Sequence, residues 1–267
     1  MIGEDPLDLN GQIAFVTGAG QGAGRAIALA MARHNAGGVA VNDFVPARAE
    51  AVAAEITAMG VAAVAAPADV GDHAAVRSAI AMTQEKLGPI TILVNNAGNA
   101  GPDATMGMSP PFWETAPGDW DRYFRTNLQG VMNCCHAALP GMVAARRGRI
   151  VTVVSDAGRV GEAGLVAYSA AKAGAAGFMR AIAREAGRYG ITANAISLST
   201  LEPAMEKAAL SAFLASDRTK AHLSRYVIRR FGQPDDVAHM ALFLCSDAAS
   251  WITGQTYPVN GGYSFAQ

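Results

Sequence analysis

The chain has 267 residues, 51% of them hydrophobic and 16% charged, with a formal net charge of −1. That apolar share supports a sizeable core and excludes a disordered chain. The near-neutral balance excludes the basic footprint of a nucleic-acid binder, so no nucleic-acid partner is expected. No apolar run reaches the roughly 18–20 residues of a membrane span, and no membrane partner is expected. The start, MIGEDPLDLNGQ, lacks the basic and apolar blocks of a signal peptide.

The elements alternate along the chain. QIAFVTG (12–18) reads as a short apolar strand, followed by an alanine-rich helix over 22–36 that stops at Gly37-Gly38. VAVNDF (39–44) is a second strand and 46–59 a second helix. VAAVAAPADV (61–70) is a third strand and 71–87 a third helix. ITILVNNAG (90–98) is a fourth strand, then a loop rich in Gly, Pro, Met and aromatics, then one long helix over 117–145. RIVTVVS (149–155), a helix over 165–187, ITANAIS (191–197) and TYPVN (256–260) complete the pattern. Strands apolar on both faces and alternating with helices predict an α/β fold, a doubly wound parallel sheet of about seven strands with helices on both faces. There is no linker and no internal repeat, so residues 1–267 form one domain. Segment 198–225 is the least regular stretch and follows a strand end, where doubly wound folds bind ligands.

Three cysteines, Cys134, Cys135 and Cys245, fit a reducing cytoplasm. The adjacent pair would point about 100° apart on a helix, so packing is expected of it, with a redox role as the alternative. The five histidines show no metal-ligand spacing, and no metal site is expected.

TGAGQGAG (17–24) lies between the first strand and the first helix. Bare backbone at Gly18, Gly20, Gly22 and Gly24, with Gln21 and Ala23 between, lets amides approach a pyrophosphate at a helix N-terminus. Asp43 ends the second strand, where a carboxylate can accept from both ribose hydroxyls of an adenosine and repel a 2′-phosphate. Phe44 and Val45 follow, with no Arg or Lys beside them, so NAD is favoured over NADP. Capping of the next helix is the competing role for Asp43. Asp69-Val70 would flank the adenine, with a helix cap by Asp69 as the alternative. Asn96, Ala97 and Gly98 end the fourth strand with small residues that let a cofactor lie close, and asparagine side chains there can tie strands together. Tyr168 and Lys172, in AYSAAKAGA (167–175), share one helix face by their spacing of four.

Together TGAGQGAG, NNAG, Ser155 and Tyr168-x-x-x-Lys172 resemble the short-chain dehydrogenases/reductases, in their compact rather than extended form. RRFGQPDDVA (229–238) and ITGQTYPVNGG (252–262) agree with this, and the likeness runs from Gly11 to Gly262. The resemblance implies a Rossmann fold and four catalytic positions. Tyr168 is the acid/base. Lys172 holds the nicotinamide ribose and lowers the tyrosine pKa. Ser155, thirteen residues before Tyr168, hydrogen-bonds the substrate oxygen. Asn127 holds a water that links Lys172 to solvent. A free phenol near pKa ~10 is too weak a base at neutral pH, so an ammonium and an oxidised nicotinamide nearby would have to stabilise the phenolate.

The sequence departs from the family after the sixth strand. NAISLSTLEPAM (194–205) has Leu198 and Ser199 where proline and glycine are usual, and Pro203 where a threonine is. Backbone groups of Leu198 and Leu201, with the Thr200 hydroxyl, are expected to face the nicotinamide carboxamide instead. Met106, Met108, Phe112 and Trp113 are expected either to wall an apolar pocket or to make a subunit contact. Leu201, Met205, Leu210, Phe213 and Leu214 make 198–225 a substrate lid. The implied activity is NAD(H)-dependent interconversion of a secondary alcohol and a ketone on a bulky apolar small molecule, steroid- or terpenoid-like. A 3-oxoacyl thioester reductase is the alternative, and such enzymes usually take NADP. A non-catalytic dinucleotide-binding protein is a further alternative. The family commonly forms homotetramers, so a homotetramer or homodimer is expected.

Overall fold

The computed structural model describes residues 5–99 and 110–265. Seven parallel strands form one sheet in the order β3-β2-β1-β4-β5-β6-β7. They are β1 (Ile13–Val16), β2 (Gly38–Val41), β3 (Ala63–Ala65), β4 (Ile90–Asn95), β5 (Gly148–Ser155), β6 (Ile191–Leu198) and β7 (Thr256–Val259). The order reverses between β1 and β4, which opens a crevice at the C-terminal ends of those two strands.

Strand alternation explains the sequence pattern. Ala14 and Val16 point to one face, packed with α1 (Gly22–Arg33), α2 (Pro46–Ala58) and a late helix, Pro234–Cys245. Ile13 and Phe15 point to the other, packed with α3 (His73–Leu87) and the long helices Gly130–Ala145 and Val166–Ala186. Both faces are covered, so both must be apolar. Cys134, Cys135 and Cys245 are buried as free thiols in these two cores, which matches the packing role. Burial pushes the Cys135 and Cys245 thiols up to about 12. No helix among the described residues is long and apolar enough to cross a membrane.

Several expected elements differ. β3 is three residues long, because Pro67 and the polar turn beyond it end the ladder. The helix expected over 117–145 is broken. A 3-10 turn (Pro117–Asp119) leads into α4 (Asp121–Phe124), a single π-helical turn (Arg125–Gln129) and α5 (Gly130–Ala145). After the short α6 (Ala157–Val160) and the long α7 (Val166–Ala186), the irregular 198–225 stretch contains α8 (Lys207–Ala215) and α9 (Asp217–Leu223). Sequence reasoning missed α10 (Pro234–Cys245), although Pro234 at its first turn and Asp235 and Asp236 beside it are ordinary start signals.

Asp69 does not cap α3. Asp72 does, accepting from the backbone N–H of Ala74 at 2.9 Å and Ala75 at 3.2 Å. Asp72→Ala should therefore lower stability by about 1 kcal/mol, read as a shift of the urea midpoint at constant slope. An unchanged midpoint would show that the cap adds nothing.

Candidate active site

The crevice between β1 and β4 holds a cavity of about 570 Å³. All twelve residues expected at the cofactor between Gly18 and Gly98 line it: Gly18, Gln21, Gly22, Ala23, Gly24, Asp43, Phe44, Asp69, Val70, Asn96, Ala97 and Gly98. Gln21 is the N-cap of α1 but makes no side-chain cap bond, and the first turn carries no acidic residue. The leading amides of α1 are thus left for an anion, as a pyrophosphate requires. The turn into α1 tolerates no larger residue at Gly24, where a Cβ would stand 2.1 Å from the Gly18 carbonyl oxygen.

The floor of the cavity is tied across strands by side chains. Asn96 donates through Nδ2 to the carbonyls of Thr17 (3.0 Å) and Gly18 (3.1 Å). The Thr17 hydroxyl accepts from the amides of Asn96 and Ala97. Asn95 Nδ2 donates to Thr152 Oγ1 at 3.1 Å, joining β4 to β5. At one end Asp43, only 6% exposed, accepts from the amide of Gly20 through Oδ2 (3.0 Å) and from Val45 through Oδ1 (2.9 Å). Each carboxylate oxygen keeps acceptor capacity. Asp43 does not cap α2, whose N-cap is Val45 with no side-chain cap bond, and its carboxylate lies on the cavity wall.

Sequence reasoning overlooked Arg48, which lines the same cavity. A Cβ at Gly20 would meet Arg48 Cβ at 2.5 Å and Asp43 Oδ2 at 2.7 Å, so the two residues flank one glycine. The expectation that no cation accompanies Asp43 holds along the chain and fails in space. The first turn of α2 folds Arg48 back over the end of β2. Asp69 is paired with a cation, accepting from Gly71 N (2.8 Å) and Arg125 Nη2 (2.7 Å).

None of the four expected catalytic residues lines this cavity, but Asn127 and Lys172 meet Gly98 at its edge. Ser155 closes β5 and accepts from Ala157 N at 3.2 Å. Tyr168 and Lys172 lie on α7. Ser155 neighbours the Tyr168 phenol closely enough to pull its pKa down. Lys172 is 4% exposed and donates from Nζ to the Val153 carbonyl at 2.8 Å, with Nζ 5.8 Å from the Tyr168 ring centre. Asn127 sits in the π-helical turn, fully buried. Its Nδ2 donates to the carbonyls of Asn99 (2.9 Å) and Tyr123 (3.0 Å), and its Oδ1 accepts from Asn99 N (3.2 Å). π-Bulges of this kind re-aim a side chain without ending a helix.

Gly98 joins this cavity to Asn127 and Lys172. A Cβ there would fall 2.8 Å from Asn127 Oδ1 and 3.0 Å from Lys172 Nζ. Any side chain at 98 would displace the lysine, and only glycine leaves it at the cavity edge. The remaining expected residues stand apart from the cavity wall. Leu198 is buried at the end of β6, opposite Ser155 in the ladder. Leu201 lines a second cavity, of about 340 Å³. Trp113 is 83% exposed rather than enclosed, Phe112 stacks on Trp120 at 5.0 Å, and Met106 and Met108 lie outside the described residues.

The electrostatics differ from expectation. Burial raises the Tyr168 phenol above its usual value, opposed by neighbouring Ser155, and Lys172 does not bring it down. Burial instead lowers Lys172 to about 8. The protein alone thus holds Tyr168 as a protonated phenol at neutral pH, and a further positive charge is needed to make it a base. The unfolded chain would keep the lysine proton up to about 10.5 and the folded chain only to about 8, so this group makes stability rise with pH between those values. An NMR titration of ¹³C-labelled lysine should place Lys172 near 8. A midpoint above 10 would refute the buried-ammonium description.

Known proteins are similar to this chain over nearly its whole length. A family model described as enoyl-(acyl carrier protein) reductase matches residues 18–264. The 3-oxoacyl-[acyl-carrier-protein] reductase FabG of Staphylococcus aureus is 39% identical over 250 residues, covering 93% of this chain and 96% of that protein. The (2S)-[(R)-hydroxy(phenyl)methyl]succinyl-CoA dehydrogenase subunit BbsD of Thauera aromatica is 36% identical over 258 residues, covering 97% and 98%. A crystal structure of a gluconate 5-dehydrogenase from Burkholderia cenocepacia, in complex with NADP and tartrate, superposes with a TM-score of 0.86 at 31% identity, covering 98% and 99%. The names of these three relatives give no support to a steroid- or terpenoid-like substrate. With the glycine loop, the NNAG turn and the Ser155–Tyr168–Lys172 set placed as described, the chain belongs to the short-chain dehydrogenase/reductase family of oxidoreductases.

Proposed function

We propose that the protein interconverts a secondary alcohol and a ketone with NAD(H), and that the ketone is the 3-oxo group of an acyl thioester. The observation that carries the reaction type is Lys172 buried against the Val153 carbonyl with its Nζ 5.8 Å from the Tyr168 ring centre, and Ser155 ending the same strand beside that phenol. Two neighbouring hydroxyls can both face one substrate oxygen. That suits a carbonyl becoming a hydroxyl. Tyr168 Oη gives its proton to the carbonyl oxygen in reduction and takes the hydroxyl proton in oxidation. Ser155 Oγ donates to the same oxygen and offsets its developing charge. Lys172 Nζ, on the cavity edge beside Gly98, is placed to hold a ribose hydroxyl, and the positive charge of an oxidised nicotinamide would favour the phenolate. A bound nicotinamide supplies or accepts the hydride, and the residues from Gly18 to Gly98 would hold its dinucleotide.

Because the lone protein holds Tyr168 as an acid, reduction is the direction for which it is ready at neutral pH. The thioester reading draws support from the relatives named as an acyl-carrier reductase and a CoA-thioester dehydrogenase. Half-buried Leu210, Phe213 and Leu214 on α8 would face the acyl chain as a lid. The NAD preference rests on Asp43 at the ribose end of the cavity. Arg48 at that end favours a second reading, NADP(H), which the NADP-bound relative also supports.

Two measurements test this. Initial rates with 3-oxobutanoyl-CoA should favour NADH over NADPH, and a reversed ratio would transfer the preference from Asp43 to Arg48. Tyr168→Phe should lower turnover at least ~100-fold while leaving the NADH dissociation constant within about twofold. Retained turnover would sink the assigned role of the phenol.

A further inference from the structure

The loop that leaves β6 is where this chain departs from the family pattern, and it stands at a critical place. The β5–β6 ladder ends with Ser155 opposite Leu198, and Asp156 N donates to the Leu198 carbonyl at 2.8 Å. Ser199 and Thr200 are therefore the first residues beyond the catalytic serine. The long cavity ends at Gly98 beside Lys172. On the proposed function, the nicotinamide end of the cofactor falls between Gly98 and this loop.

One buried phenol gathers the loop. Tyr226, 3% exposed, has its hydroxyl 2.5 Å from Ser199 Oγ, and it accepts from the backbone N–H of Thr200 at 3.3 Å. His222 Nε2, on α9, lies 3.3 Å from the Tyr226 hydroxyl and 3.3 Å from Thr200 Oγ1. Burial and the neighbouring Arg225 hold His222 below its ordinary value, against the opposing pull of Glu162. At neutral pH its ring nitrogen is thus available as an acceptor. The His222 ring stacks on Phe231 at 5.8 Å, which stacks in turn on Phe213 of α8 at 5.8 Å.

The same group is anchored on its far side. The Tyr226 ring packs on Tyr263 at 5.1 Å. Tyr263 donates to Glu162 Oε2 at 2.7 Å, and Arg225 joins both Tyr263 and Glu162. Glu162 belongs to the connection between Ser155 and Tyr168. The lid, the loop after β6 and the segment between Ser155 and Tyr168 are therefore one unit joined by hydrogen bonds, an ion pair and ring stacking.

We propose that Tyr226 and His222 are positioning residues for the nicotinamide end of the cofactor site, fixing Ser199 and Thr200 through the hydrogen bonds that gather on the Tyr226 hydroxyl. The inference rests on the dinucleotide reading given above. It predicts a split between two ligands. ADP-ribose would reach only the half of the site from the glycine loop to Asp43, whereas NADH would also reach the loop after β6. Removing the phenol hydroxyl leaves the Thr200 amide and the Ser199 hydroxyl without their partner, a loss of the kind that weakens binding roughly three- to tenfold.

Calorimetric titration of NADH and ADP-ribose, on wild type, Tyr226→Phe, Ser199→Ala and His222→Gln, tests it. The expected result is NADH affinity down roughly three- to tenfold in Tyr226→Phe and Ser199→Ala, with ADP-ribose affinity unchanged. His222→Gln, whose amide can replace the ring nitrogen, should stay within about twofold of wild type. Unchanged NADH affinity in Tyr226→Phe and Ser199→Ala would overturn the inference and leave the dinucleotide reading intact. Equal losses for both ligands would also overturn it, by showing a general effect on the fold. Wild type that binds neither ligand would overturn both readings together. Ser199→Ala removes the same bond from its other end and decides the matter if Tyr226→Phe does not fold.

Discussion

The hydrogen bond from Lys172 to the Val153 carbonyl is the constraint around which the site is arranged. An ammonium withdrawn from water is costly unless its donors are used. Here one donor goes to a strand carbonyl, 2.8 Å away. That bond fixes α7 against β5 and so sets where Tyr168 can stand relative to Ser155, which ends the same strand. The burial that positions the lysine also brings its pKa down to about 8. Its charge at neutral pH is therefore held with little margin, and small changes in nearby charge alter it. A site that must respond to the charge of a cofactor benefits from such a poised group.

The same constraint explains the small residues around it. Gly98 keeps β4's exit clear of Nζ. Gly158 of α6 lies so close to α7 that a Cβ would approach the Lys172 backbone carbon and Cβ to 2.9 Å. Asn127 closes the remaining side, and its three hydrogen bonds to Asn99 and Tyr123 account for the π-helical turn that carries it. A regular helix over 117–145 would turn that amide elsewhere. The break in the helix is thus part of the site and not an irregularity beside it.

Much of this was legible in the sequence because the relevant signals are local. Strand–glycine–helix order located the glycine turn that lines the cavity, spacing of four paired Tyr168 with Lys172, and the strand-terminal Asp43 lines the same cavity. What escaped were contacts between elements. Arg48 is five residues beyond Asp43 in sequence, yet the turn into α2 brings both against Gly20. Asp72 rather than Asp69 caps α3, because the helix begins at His73, two residues later than the sequence pattern suggests, and Asp72 stands at its N-cap. The π-turn has no sequence signal of its own. The lowered Lys172 and raised Tyr168 depend on burial, which spacing does not report.

Asp156 shows how the residue next to Ser155 can hold it in place from the side. Its carboxylate is buried and accepts from Ser197 Oγ (2.7 Å) on β6, Arg159 Nη1 (3.0 Å) on α6 and Asn260 Nδ2 (2.7 Å) beyond β7. Arg159 continues to Ser264 Oγ and the Phe265 carbonyl. Three strand ends and the C-terminal segment therefore converge on the residue after Ser155. Removing any one partner would leave a buried charge under-bonded, so the network acts as a unit. With Lys172 fixing one side of Ser155 and Asp156 the other, the serine hydroxyl is held by its flanks, and its own oxygen stays available to Tyr168 and to whatever oxygen the substrate presents.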